Sequence, residues 1–242
     1  MGPFTFIFYA ILGFIAPYSR WRMEWRLFRL LNKARRDSGL PALFMQGDLR
    51  QLARKHSKDM AKQGYFDHIN RQGQSHADRF VSARISEATS GENLAKIRGY
   101  AYPVERAHQG LMKSPGHRAN ILSTAYNCVG IGLHKAKDGT YYFTQNFAYR
   151  SLLFTRKFPK NLTQGQSHTL YFTPLDSAQQ GLLKVVLGQT EVQQKAFPIH
   201  AGENKLNLRI LDSGLHTLYL YTGKKGHLKL ANLSEVKVKK GW

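Results

Sequence analysis

The sequence has 242 residues, 42% of them hydrophobic and 12% aromatic, which is enough apolar surface for two modest packed domains and too much for a disordered chain. Lys and Arg number 36 against 15 Asp and Glu, a net charge of +21, and the single cysteine rules out an intramolecular disulfide. A mean hydropathy of -0.42 excludes a polytopic membrane protein.

Residues 1–20 open with an almost wholly apolar run, Phe4 to Ala16, ended by Pro17. It is shorter than the ~20 apolar residues of a comfortable membrane span and has the length of a signal-peptide apolar region. No Lys or Arg precedes it, and Arg20, Arg22, Arg26 and Arg29 follow. Residues 1–20 therefore read as an export signal. A retained membrane anchor and an apolar segment packed on the next domain stay open.

Residues 24–150 carry the helical patterns. Leu27, Leu30, Leu31 and Ala34 share one helical face, and Gly39 and Pro41 end that helix. Asp48 is expected to cap the next helix, with Gln51 completing a capping box. That helix lines up Leu49, Leu52, Ala53, His56 and Met60, and Gly64 closes it. A polar stretch, Asp67 to Gln74, leads to a second cap at Ser75-His76-Ala77-Asp78. Pro103 suits the first turn of a helix through Val104, Ala107, Leu111 and Met112. Ser114-Pro115-Gly116 breaks it, and His117 to Leu122 forms a further short helix.

The period then changes from helical to alternating. Val129, Ile131 and Leu133 answer Tyr141, Phe143 and Gln145 across a Lys137-Asp138-Gly139 turn, a β-hairpin. Cys128, in the apolar run before Leu133, reads as a core residue. Beyond residue 150 only short alternating runs remain, at 169–172, 182–187, 206–211, 217–221 and 236–239, with glycines between them. Residues 158–242 are thus expected to form a smaller all-β sandwich of immunoglobulin-like size. The charge is spread: residues 151–242 hold 13 basic and 5 acidic side chains, the rest 23 and 10.

Four segments carry chemistry in a fixed order: Asp67-His68-Ile69-Asn70, Gly91-Glu92-Asn93-Leu94-Ala95, Ser114-Pro115-Gly116-His117-Arg118-Ala119-Asn120-Ile121-Leu122, and Tyr142-Phe143-Thr144-Gln145-Asn146-Phe147. Together with Leu31-Asn32, Ala34-Arg35 and Gly130-Ile131-Gly132, this set resembles the CAP superfamily in its bacterial, disulfide-free branch. The resemblance covers roughly residues 25–148. It implies an α+β fold, a three-layer α/β/α sandwich with a surface cleft lined by two histidines and two acids. His68 and His117 match the histidines and Glu92 the first acid. The second acid would fall at or near Ser114, so the tetrad is incomplete here.

Two imidazoles on a cleft can ligate a divalent ion such as zinc, with Glu92 orienting one of them or acting on a bound water. His68 and His117 are the expected metal ligands, and His68, Glu92 and His117 the expected catalytic set if the cleft is catalytic. Ser114 with His117 admits a weaker serine-hydrolase reading, without the sequence pattern of a nucleophile elbow. His56 is expected in the core, while His76 and His108 are free to approach the cleft.

The favoured function is a secreted or envelope-associated module that binds a lipid or other apolar small ligand, or a surface partner. A metal-assisted hydrolase of an envelope polymer is the first alternative. The second is a basic adhesin holding anionic cell-surface polymers through its positive field. Nucleic acid is the weaker form of that idea, because no recognition helix or RNA-binding aromatic motif accompanies the charge.

Overall fold

In a computed structural model of the protein, residues 19–83, 85, 89–156, 158–224 and 226–241 are described. The apolar run Phe4–Ala16 lies outside them. The chain divides into two units: the residues up to Arg79 with Thr89–Ala148, and Phe80–Ala88 with Tyr149 onward.

In the first unit, helix α1 (Arg20–Asp37) starts at Ser19, whose hydroxyl accepts the Arg22 amide at 3.4 Å. It buries Met23, Leu27 and Leu31, spaced four apart on one face. Gly39, at φ 72°, takes the left-handed turn beyond its end. Arg35 is buried and donates to the carbonyls of Pro41, Ile121 and Ser123 at 2.8 Å each, so its charge is solvated by backbone. A short strand β1 (Phe44–Met45) leads into α2 (Gly47–Gln63), which ends at Gly64 in the left-handed region.

The expected cap of α2 is displaced. Gln46 occupies the cap position but its side chain makes no capping hydrogen bond, and Asp48 lies inside the first turn, accepting the Leu49 amide at 2.8 Å. A carboxylate in a first turn answers the partial positive charge of the exposed amides there, so the signal marks the end of the helix but not the residue.

Next come α3 (His76–Ser82), β2 (Ser90–Ile97), α4 (Pro103–Lys113), α5 (Pro115–Leu122) and the hairpin β3 (Cys128–Lys135) and β4 (Tyr141–Ala148). The strands form one sheet in the order β1-β3-β4-β2, antiparallel except where β1 runs parallel to β3. On one face, Val129, Ile131, Leu133, Phe143 and Phe147 pack with Leu27 and Leu31 of α1, Ala107 and Leu111 of α4, and Ile121 of α5. On the other face lies α2, and β3 admits it only because it carries glycine. A Cβ on Gly130 would sit 2.1 Å from the Leu49 carbonyl carbon, and one on Gly132 2.1 Å from the Arg54 amide nitrogen. Ser57 of α2 donates to the Gly132 carbonyl at 3.1 Å and shares a 2.8 Å bond with Thr144. The result is a three-layer α/β/α sandwich. Cys128 is buried, as its apolar neighbours imply.

The second unit is all β. A three-stranded sheet runs β10 (Asn204–Arg209), β7 (Ser167–Pro174), β5 (Leu152–Phe154). A five-stranded sheet runs β6 (Asn161–Thr163), β12 (His227–Lys239), β11 (Gly214–Lys224), β8 (Gln180–Leu187), β9 (Thr190–Pro198). Alternate residues of both sheets, among them Leu170, Phe172, Leu183, Val185, Leu206, Leu218, Leu220 and Val236, meet in one core. Strand β9 is absent from the alternating runs of the sequence. It lies at a sheet edge with nearly every side chain exposed, so no hydrophobic alternation marks it.

Candidate functional site

The site grows from the edge strand β2. Successive side chains of a strand point to opposite faces, so Glu92 and Asn93 leave the sheet on opposite sides. Glu92 turns toward the α2 face. Its side chain is 1% exposed, and both carboxylate oxygens are engaged. His68 Nδ1 donates to Oε1 at 2.9 Å, and Arg79 Nη2 donates to Oε2 at 2.7 Å. With its amide turned so that nitrogen faces the carboxylate, Asn146 adds a third donor to Oε2 at 3.3 Å.

His68 rides on the polar loop Asp67–Gln74, whose shape comes from short-range bonds. Asn70 Oδ1 accepts the amides of Gln72 and Gln74 at 3.1 and 2.8 Å, and His56, buried on α2, donates from Nε2 to the Asp67 carbonyl at 3.0 Å. Arg79 completes the loop, donating from Nη1 to the carbonyls of His68 at 2.7 Å and Gln74 at 2.9 Å. Arg79 itself is held by α3. Ser75 and Asp78 cap that helix reciprocally, the Ser75 amide on Asp78 Oδ2 at 2.9 Å and the Asp78 amide on Ser75 Oγ at 3.3 Å.

Asn93 serves the opposite wall. Its Nδ2 donates to the His117 carbonyl at 3.0 Å and to Gln145 Oε1 at 3.1 Å, while Oδ1 accepts Asn120 Nδ2 at 2.9 Å. These bonds fix the start of α5, where His117 is half-buried, to the edge strand. One peptide unit, Glu92–Asn93, thus anchors both histidine-bearing segments.

The electrostatics follow from this arrangement. Burial alone would push the Glu92 carboxyl up, but the His68 hydrogen bond and the Arg79 charge outweigh it and hold the group below its ordinary value. The Glu92 bond raises His68 above the usual histidine range. His117 is shifted down, first by burial and then by His68. His76 is also shifted down, chiefly by burial, and its Nε2 lies 3.4 Å from Ser90 Oγ at the start of β2. His108 is shifted down by burial.

Ser114 ends α4 and begins α5. Among the described residues its hydroxyl makes no bond to His117. Arg79 is the residue that sequence reasoning missed. Nothing in a chain with 36 basic side chains singles it out, and only its place one residue after a capping pair could have done so.

The sign of the His68–Glu92 coupling gives a direct expectation. His68 holds its proton more tightly when folded, so its contribution to stability is complete below the ordinary histidine value and is lost as pH rises through the raised one. Imidazole resonances followed by NMR should titrate above 6.5 for His68 and below it for His117, and Glu92→Gln should bring the His68 midpoint down. A His68 midpoint unmoved by Glu92→Gln would mean that the pair does not set its charge.

A three-layer α/β/α sandwich with two histidines at a sheet edge, one of them tied to a buried carboxylate, defines a recognisable class of domain. Residues 28–147 match the model of the CAP family, described as the cysteine-rich secretory protein family, and this half of the chain belongs to it. It is 38% identical over 117 residues, covering 48% of this chain, to the uncharacterized protein YkwD of Bacillus subtilis. It is 31% identical over 128 residues, covering 52% of this chain, to the uncharacterized membrane protein YlbC of the same organism. The matches span 44% and 34% of those two relatives, less than half of either. Among solved structures, an outer surface protein of Borrelia burgdorferi shares the fold at a TM-score of 0.50 and 18% identity, over 55% of this chain and 96% of that one. An extracellular SCP-domain protein of Bacillus anthracis aligns at 30% identity and a TM-score of 0.47, over 53% and 40% of the two chains.

Proposed function

We propose that the CAP domain is a binding module of the bacterial cell exterior and that the cleft between His68 and His117 is its recognition site, with a divalent ion the simplest species it holds. The observation that carries this reading is the complete occupation of Glu92. A general base needs a free oxygen within reach of the proton it takes. Glu92 gives one oxygen to His68 and the other to Arg79, and its side chain is closed to solvent. That is the geometry of a carboxylate that orients an imidazole, leaving His68 Nε2 to face a ligand from a side chain that is 51% exposed. The same occupation weighs against hydrolysis, as does a Ser114 hydroxyl without a base. The secretory description of the matched family supports the location.

The donor set suits a weak, exchangeable ion. It comprises two imidazole nitrogens, and among the described residues no group of three or more His, Cys, Asp and Glu could hold a metal. Two protein nitrogens fall short of the three that hold a catalytic zinc, so water or the ligand itself would complete the shell. A bound ion would supply a positive centre for an anionic or polar ligand group, while Glu92 and Arg79 keep the His68 ring in place.

Calorimetric titration of zinc into the full chain tests this. Saturable binding is expected, lost in His68→Ala and in His117→Ala, weakened about 10- to 100-fold in Glu92→Gln, and stronger at pH 8 than at pH 6 because the ion competes with the His68 proton. Binding indifferent to both histidines would remove the ion from the proposal and leave recognition to the surface.

A further inference from the structure

The outer side of α1 carries a surface unrelated to the His68 cleft. Trp21, Trp25 and Phe28 recur at helical spacing in one stripe, with ring centroids 5.9 Å apart for the first pair and 5.2 Å for the second. Arg22, Arg26, Arg29, Lys33 and Arg36 repeat that spacing one position on. A basic stripe therefore runs beside the aromatic one, on the side away from the buried Met23, Leu27 and Leu31. Where the stripes meet, Trp21, Arg22, Trp25 and Arg29 line an open groove of about 410 Å³. Phe28 packs against the core, whereas Trp21 is 56% exposed.

Helix stability explains neither stripe. The first turn of α1 contains no acid, and Arg20 and Arg22 stand at the end where the helix dipole disfavours positive charge. Arg26 is paired with Glu105 at 2.9 Å and Lys33 with Asp37 at 2.7 Å, but Arg29 has no acidic partner among the described residues. An exposed indole beside guanidinium groups is the combination that settles at a membrane–water interface, the ring at headgroup depth and the cations on lipid phosphates. Charge complementarity selects the occupant. A second copy of the chain docked through this face would bring arginine against arginine, at a net charge of +21 on each. Residues 1–19 contain no Asp or Glu, so that segment offers the arginines no carboxylate. A bilayer with anionic headgroups supplies both negative charge and apolar depth, and the apolar run Phe4–Ala16 ends four positions before the helix.

We propose that this face of α1 docks on a bilayer surface rich in anionic lipid. Arg22 and Arg29 bind headgroup phosphates, and the Trp21 ring enters the interface beside them. Contact through its first helix holds the CAP domain at the membrane, whatever the cleft contains.

The test follows tryptophan emission of the full chain carrying Trp242→Phe, which leaves Trp21 and Trp25 as the reporters. Vesicles of equal phosphatidylglycerol and phosphatidylcholine should shift the emission to the blue, and brominated lipid chains should quench it. Pure phosphatidylcholine should need about tenfold more lipid for the same shift. Arg22→Gln/Arg29→Gln should weaken the titration about 25-fold, about fivefold for each charge. Both side chains are exposed, so circular dichroism should show the fold unchanged. His68→Ala should leave the titration as it is. Emission that stays unshifted on anionic vesicles overturns the proposal even if the chain sediments with them, since loosely adsorbed charge or the apolar run would leave the Trp21 ring in water. A shift equal on both vesicles and indifferent to the two arginines also overturns it, because α1 is then carried to the bilayer without recognising it. A DNA duplex that produces the same blue shift assigns the face to polyanions in general and overturns it as well.

Discussion

Arg79→Met is expected to destabilise the CAP domain by about 3–5 kcal/mol, the characteristic loss when one partner of a buried ion pair is removed. Arg79 is 8% exposed at its side chain and donates to three oxygens: one of Glu92 and the carbonyls of His68 and Gln74. Without it, Glu92 is a buried carboxylate with only His68 and Asn146 to compensate it, and its titration should move up toward and past the ordinary value. Stability would then fall as pH rises through that new midpoint, the reverse of the present case, in which a depressed Glu92 contributes above its unfolded value and is lost only as pH falls through its lowered one. The second variant Arg79→Met/Glu92→Met separates charge from packing. If the damage is an uncompensated charge, the double variant unfolds at higher denaturant than Arg79→Met alone. If it is lost packing and loop anchorage, the double variant is the worse of the two.

Gly132→Ala should also destabilise the domain, for a different reason. The added Cβ would lie 2.1 Å from the Arg54 amide nitrogen and 2.4 Å from the Ala53 carbonyl carbon, both backbone atoms of α2 that cannot rotate away. The helix must lift off the sheet, which breaks the Ser57–Gly132 bond and loosens the packing of Leu49 and Ala53; a loss of about 1–3 kcal/mol or more follows. Gly110→Ala on α4 is the matched control. Among the described residues nothing beyond its own helix backbone lies within 4 Å of its Cβ position, so the same change there should stabilise by about 0.5–1 kcal/mol through helix propensity. Chemical denaturation of both variants checks the contrast, and equal effects would mean that the close approach of α2 to β3 is not real.

The sequence carries the scaffold wherever one face of an element is buried. The four-residue spacing along Met23, Leu27 and Leu31, the Pro103 start of α4 and the alternation of Val129, Ile131 and Leu133 are direct imprints of the core on the chain. Edge strand β9 leaves no such imprint because nearly all its side chains are exposed and only Phe197 packs against the core. At the cleft, the pairing of His68 with Glu92 is legible only through the order of four motifs, since the two lie 24 positions apart and no local rule brings them together. Arg79 is illegible for a further reason: two of its three bonds go to backbone carbonyls, which carry no sequence signature. The slip at Asp48 is of the same kind, a carboxylate that favours a helix start without naming the first residue.

Strand β2 has a consequence for what insertions and deletions the domain can bear. Glu92 and Asn93 reach opposite sides of the sheet from adjacent positions, and their cross-strand partners on β4 are Asn146 and Gln145. Losing or gaining one residue between Ser90 and Glu92 would exchange their sides. The carboxylate would then face Asn120 and the carbonyl of His117, and the amide would face His68 and Arg79. Both walls of the cleft would fail in a single step, although no histidine had changed. The turn at Lys137–Gly139, far along the hairpin, carries no such constraint, so the frame of this site is written in the length of one eight-residue strand.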